Sequence, residues 1–177
     1  MFLLGHLGFG LRTARPFRRG LPLKPLLLGT LLPDLIDKPL YYGLSLATDR
    51  RGVALGLISG TRTFGHTLLF TASLAGLAAA RRSKLFAALA LGAATHLFLD
   101  VVSDAFTRRA DFSLRVLVWP LMGWRFPGSL YSNLGEHLGQ FHEPFFFYAE
   151  LAGGLLLLAE WRKARRLSSA RSPSRGR

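Results

Sequence analysis

Cysteine is absent from this chain of 177 residues. Disulfides and thiolate metal sites are thereby excluded, so a bound metal would rest on nitrogen and oxygen ligands. Acidic residues are scarce, ten Asp and Glu against 23 Lys and Arg, for a net charge of +13. Such a balance suits anionic lipid or nucleic acid. The interleaved basic and aromatic residues of a nucleic-acid surface are missing, so nucleic acid ranks last among the partners. A GC-rich coding bias would also favour arginine over lysine. No glycine-rich phosphate loop and no Gly-x-Ser-x-Gly elbow occurs. No basic n-region and cleavage site bracket an apolar run near Met1, so no signal peptide is expected. Strand-like alternation is weak throughout, and no internal repeat is visible.

Apolar residues are abundant. They make up 50% of the chain, and mean hydropathy is +0.27, high for a water-soluble domain. Three long apolar runs lead up to Ala80, cover Leu85 to Val102, and cover Pro144 to Ala159. The second is near the lower limit for crossing a bilayer. Basic clusters follow each run, at Arg81-Arg82, Arg108-Arg109 and Arg162 to Arg166. Three spanning runs would put consecutive clusters on opposite sides, against the positive-inside preference. Some runs are therefore expected to be core or interfacial. Trp119 to Pro127 mixes aromatics and prolines, as an interfacial or packed irregular segment would. The expected fold is all-α, a helical membrane-associated bundle with a central antiparallel helix hairpin. One domain is expected over residues 1–167, with a disordered basic Ser/Arg tail over 168–177.

The scarce polar residues fall where burial is costliest. His96, Asp100 and Asp104 recur every four residues in an apolar stretch and so share one helical face. A buried histidine bonded to a carboxylate would account for them, and so would a divalent metal, which satisfies imidazole and carboxylate together. His66 opens the preceding apolar run. Reflected about the Arg81–Lys84 turn it falls opposite Leu99, level with His96 and Asp100. Asp34 and Asp37 lie between Pro33 and Pro39, where a helix is expected to stop or restart. One helical turn would bring both carboxylates to one side, although N-capping would also explain an aspartate there. Glu136, His137, His142 and Glu143 form a weak metal signal. Two histidines five apart do not share a helical face, and exposed loop histidines are the expectation.

Three segments, Gly29 to Asp37, Arg62 to Thr67 and His96 to Asp100, resemble the successive motifs of the YdjM-like metal-dependent hydrolases of the bacterial inner membrane. The Trp119 to Phe126 segment is similar too, and the resemblance covers most of residues 1–130. It implies metal ligands at His6, Asp34, Asp37, His66, His96 and Asp100. More distantly, the layout is similar to the all-α zinc-dependent phospholipase C fold. The family's middle motif reads His-Arg-x-x-Thr-His-Ser. Here Thr61 stands for its leading histidine and Gly65 for its threonine.

The implied activity is hydrolysis of an ester or phosphoester, such as a lipid, by metal-activated water. The ion would be zinc first, with manganese or magnesium as alternatives. Asp37 or Asp104 could serve as general base. Arg62 could hold a substrate phosphate, or else pair structurally with Asp34 or Asp37. The rival reading is a non-catalytic membrane protein whose His/Asp cluster is a structural metal or salt-bridge network.

Overall fold

A computed structural model describes residues 2–107, 109–131 and 133–170, with side chains to residue 166. The described residues are helical, with no strand among them. Eight α-helices follow in order: α1 (Leu3–Ala14), α2 (Leu23–Gly29), α3 (Leu32–Thr48), α4 (Leu68–Arg81), α5 (Lys84–Phe106), α6 (Ala110–Leu117), α7 (Leu134–Gly139) and α8 (Pro144–Ala170). Of the tail expected at 168–177, residues 168–170 continue α8, and 171–177 lie outside the described residues.

Helix α5 is the centre of the bundle, in contact with α1, α2, α3, α4 and α6. Its buried positions include Ala88, Gly92, Ala93, His96, Leu97, Asp100, Ser103 and Asp104. This is an i, i+3, i+4 stripe. Small residues line its upper half, and the polar residues sit towards its C-terminal end.

Two pairs of glycines let the helix backbones touch. A Cβ on Gly92 of α5 would lie 2.4 Å from the Leu26 carbonyl oxygen of α2. A Cβ on Gly8 of α1 would lie 2.1 Å from the Gly153 carbonyl oxygen of α8. Any larger residue at either crossing would force the helices apart.

Helix α1 has no side-chain cap of its own. Glu150, in the second turn of α8, supplies the acceptor instead. Its carboxylate takes the backbone N–H groups of Phe2, Leu4 and Gly5 at 2.8, 2.7 and 3.0 Å. A buried carboxylate at a helix N-terminus satisfies orphan donors and complements the helix dipole. The glutamate that interrupts the third apolar run thus fixes where α1 begins, and with it the position of His6.

A helix restarts at the Pro33–Pro39 motif, as expected, but its second proline does not interrupt it. Helix α3 starts with Pro33 in its first turn and runs through Pro39 to Thr48. Pro39 forgoes one backbone hydrogen bond, and Lys38 bonds Asp34 one turn away at 2.6 Å. An irregular segment follows and closes with a 3₁₀ turn at Phe64–His66. Thr67 caps α4, its hydroxyl accepting from the Phe70 N–H at 3.0 Å.

Candidate metal centre

Three elements converge beside the C-terminal half of α5. Helix α1 brings His6, α3 brings Asp34 and Asp37, and the 3₁₀ turn brings His66. Helix α5 itself carries His96, Asp100 and Asp104. All three histidines are buried, at 1%, 3% and 0% exposure for His6, His66 and His96. The spacing argument about the turn holds for His66, whose Nε2 lies 3.2 Å from His96 Nε2.

The outer ring nitrogens are tied back. His66 Nδ1 lies 2.7 Å from Asp37 Oδ2, and His96 Nδ1 lies 2.8 Å from the Thr30 carbonyl oxygen. A carbonyl can only accept, so His96 carries a proton on Nδ1, and a neutral ring then turns a bare Nε2 inward. The carboxylate of Asp37 imposes the same tautomer on a neutral His66. Anchoring of the far nitrogen by a carboxylate or carbonyl is the usual support of a metal-binding imidazole.

Carboxylates complete the cluster. Asp34 Oδ1 is 3.4 Å from His66 Nε2 and 3.9 Å from His96 Nε2. Asp100 Oδ2 is 3.5 and 3.6 Å from the same two nitrogens. These separations are longer than hydrogen bonds. They match the edges of a shared coordination polyhedron, since four tetrahedral donors at about 2.1 Å from an ion stand roughly 3.4 Å apart. His6 stacks on His96, with centroids 3.9 Å apart. Its Nε2 lies 3.4 Å from Asp100 Oδ1, and its Nδ1 is buried without a hydrogen-bond partner. His6, His96 and Asp100 form one triad that could hold a metal ion, and Asp34, His66 and His96 form another.

Asp37 stands one layer back. It is fully buried and accepts from Thr63 N–H at 2.6 Å and Gly65 N–H at 3.1 Å as well as from His66. Its oxygens are saturated by the loop it braces, so it orients His66. Gly65 is required at this contact, because a Cβ there would lie 2.9 Å from the Pro33 carbonyl oxygen. Asp104 also stands aside, bonded to the Ser113 hydroxyl and to Arg62 Nη1 at 2.6 Å. Arg62 Nε reaches Asp100 Oδ2 at 3.2 Å. Arg62 thus forks across two α5 carboxylates one turn apart, and Asp34 and Asp37 are not the partners these bonds use. Thr61 is buried beside it, at 6% exposure.

The electrostatics call for positive charge. Burial would lower the His66 pKa, but the neighbouring carboxylates of Asp34 and Asp37, the second hydrogen-bonded to the ring, outweigh it and raise the value. Burial would raise Asp34, yet Lys38 and then His66 hold it well below the usual carboxylate range. His6 is pushed well below its usual value by burial and by His96. Four carboxylates, Asp34, Asp37, Asp100 and Asp104, face two permanent cations, Lys38 and Arg62. One divalent ion would balance that deficit of two charges while leaving the imidazoles neutral.

His137 is the residue that sequence reasoning set aside. It is half-buried and lines a small polar cavity beside the cluster together with Asp34, Lys38, Thr61, Arg62, Asp100 and Tyr131. His142 is exposed, and among the described residues its ring bonds the local backbone, Gly139 O, at 3.2 Å.

No protein-family model, curated protein or solved structure matches this chain.

Proposed function

We propose that the chain is a membrane-associated, metal-dependent hydrolase of an ester or phosphoester, akin to the YdjM-like proteins. The observation that carries the metal is the pair of His66 and His96 Nε2 atoms facing each other and two carboxylates at 3.2 to 3.9 Å. Two imidazoles and two carboxylates with tied outer nitrogens suit zinc first, then manganese. When bound, the ion would supply Lewis-acid activation of water and of the substrate oxygen.

The remaining work falls to the chain. Asp37 and the Thr30 carbonyl hold the two imidazoles in register. Arg62 fixes Asp100 and closes the floor of the site. Asp34, at 17% side-chain exposure against 7% for Asp100, is the carboxylate nearest to entering substrate. The fork of Arg62 across Asp100 and Asp104 also supports a second reading, in which the cluster is a structural network.

Membrane attachment is supported by apolar surface left uncovered. Helix α4 buries no residue although its sequence is nearly all apolar. Leu68, Leu69, Phe98, Phe106, Leu151 and Leu155 are each more than half exposed. Among the described residues one helix, α5, is long and apolar enough to cross a membrane. The α4–α5 pair is read as an antiparallel hairpin in or on the bacterial inner membrane, with lipid as both surroundings and candidate substrate.

Metal analysis of protein purified in detergent without chelator tests the central claim. About one zinc or manganese per chain, lost in His96→Ala, is expected. A wild type that carries no metal and takes none up sinks it.

A further inference from the structure

We propose that the polar cavity beside the metal ligands is an oxyanion site, in which His137, Lys38 and Arg62 receive one oxygen of a phosphoryl group. This deepens the hydrolase reading, and rests on it, by choosing phosphoesters over carboxylic esters.

The cavity holds about 20 Å³, room for a single oxygen-sized group with polar partners. Two permanent cations and an imidazole line it, together with the Asp34 and Asp100 carboxylates that pair with those cations. Lys38 Nζ is anchored by Asp34 at 2.6 Å, and Arg62 by Asp100 and Asp104. Neither cation is free to swing away, so both are preorganised. A carboxylic ester oxygen develops one negative charge, whereas a phosphoryl group carries charge on several oxygens before reaction. Two fixed cations in one cavity, beside residues that could hold a divalent ion, fit the second.

His137 is held in place for this. Its ring stacks on Tyr131, with centroids 4.4 Å apart and planes 11° apart, and Phe2 lies against it at 6.0 Å. Tyr42 Oη lies 2.8 Å from His137 Nδ1. In the proposed state the tyrosine hydroxyl donates to Nδ1. That leaves the proton on Nε2, as a donor for the bound oxygen. The pKa values agree with two neutral partners. Burial and then Lys38 push His137 down to about 4, and burial pushes Tyr42 up to about 12. His137 is then a binding residue and Tyr42 a positioning residue.

The test is calorimetric titration of inorganic phosphate, with acetate as control, into zinc-loaded full-length protein in detergent. Metal content is measured on the same sample. Phosphate should bind and acetate should not compete. His137→Ala should weaken phosphate at least tenfold with zinc retained, and His137→Gln, which keeps a donor, should recover part of the loss. Tyr42→Phe should shift the His137 tautomer read by ¹⁵N NMR. A short-chain phosphatidic acid binding tenfold tighter than phosphate would make the source a lipid headgroup. Equal affinities would make it a soluble phosphoester. Phosphate affinity within twofold of wild type in zinc-loaded His137→Ala overturns the proposal. So does a zinc-loaded wild type that ignores phosphate. A wild type without zinc overturns the metal reading instead. Phosphate binding that persists there and still depends on His137 leaves the oxyanion site standing.

Discussion

His66 Nδ1 and Asp37 Oδ2 lie 2.7 Å apart, both fully or nearly fully buried. This one bond joins α3 to the turn that precedes α4 and decides which nitrogen of His66 faces the cluster. Asp37 is therefore predicted to matter for affinity without touching the ion. Thr63 N–H and Gly65 N–H use different oxygens of Asp37, so Asp37→Asn keeps an acceptor for only one of them and weakens the hold on the imidazole. A loss of about 10- to 100-fold in metal affinity is expected, as for other residues supporting a ligand. Asp37→Ala should in addition strand two buried N–H groups, at about 1–3 kcal/mol each. Metal titration and thermal unfolding separate the two effects, and equal metal affinity in wild type and Asp37→Asn would refute the orienting role.

Metal binding should fall as pH falls. The Asp34 and Asp37 carboxylates raise the His66 pKa above its usual value, so protons compete with the ion at that ring from above pH ~6.5 downward. Bound zinc measured by equilibrium dialysis between pH 8 and pH 5 should decline monotonically. A flat profile over that range would mean that His66 is not a ligand.

Much of this centre was legible in the sequence, and the reason is geometric. His96, Asp100 and Asp104 repeat at helical spacing, and the two-residue link Arg82-Ser83 between α4 and α5 makes reflection about it a fair guide to register. That placed His66 beside His96. The i, i+3 spacing of Asp34 and Asp37 was less informative. Both lie on α3, but one reaches the cluster and the other backs His66, a division set by the 3₁₀ turn packed against α3. The Thr30 carbonyl that fixes His96 leaves no trace in residue identity, because any residue offers a carbonyl. Glu150 registered only as a break in an apolar run, because its partners are backbone N–H groups some 145 residues away. His137 was set aside with His142 as an exposed loop histidine, because their spacing of five puts them on no common helical face, and the residues that share its cavity lie far away in sequence.

Glu150 should be one of the costliest single sites outside the cluster. Glu150→Ala leaves three N–H groups at the start of α1 without their acceptor. Loss of at least 2 kcal/mol of stability is expected on the usual scale for charged hydrogen bonds and stranded donors. Glu150→Gln should lose less, since it keeps one acceptor. Chemical denaturation in detergent measures this, and a change below about 0.5 kcal/mol, the ordinary range for surface substitutions, would argue against the cap.

The His137–Tyr42 contact predicts its own pH dependence. His137 has a folded pKa of about 4, below the usual 6.5. A depressed histidine contributes fully above its unfolded value, and that contribution is lost as pH falls from about 6.5 towards 4. At the alkaline end, Tyr42, raised to about 12, contributes below pH ~10 and loses that contribution as pH rises towards 12. Comparing wild type with His137→Gln, the difference in unfolding free energy should shrink as pH drops from 6.5 to 4. A difference that stays constant across that window would place the ring in water.

For the proposed spanning α5, the orientation of the site relative to the bilayer is predicted from its place along the helix. Twenty-three residues rise roughly 34 Å, enough to cross a hydrocarbon core of about 30 Å. His96 lies roughly 18 Å from the Lys84 end, Asp100 roughly 24 Å and Asp104 roughly 30 Å. The cluster thus runs from mid-helix to the far end, with the Arg62 fork at the far end. A charged cluster open to lipid at mid-depth would cost several kcal/mol. Asp100 and Asp104 are instead covered by protein, at 5% and 3% exposure, while Leu121, Met122 and Trp124 protrude at 88%, 63% and 72%. These three residues are predicted to rest in the headgroup layer on the site's side, opposite Ser83 in the turn. The chain lacks cysteine, so Ser83→Cys and Met122→Cys can be labelled singly with a membrane-impermeant maleimide in intact and opened vesicles. The expected result is labelling of the two positions from opposite sides. Labelling of both from one side would mean that α5 lies within or on one leaflet, with the His/Asp cluster held in the protein interior beside a single face of the membrane.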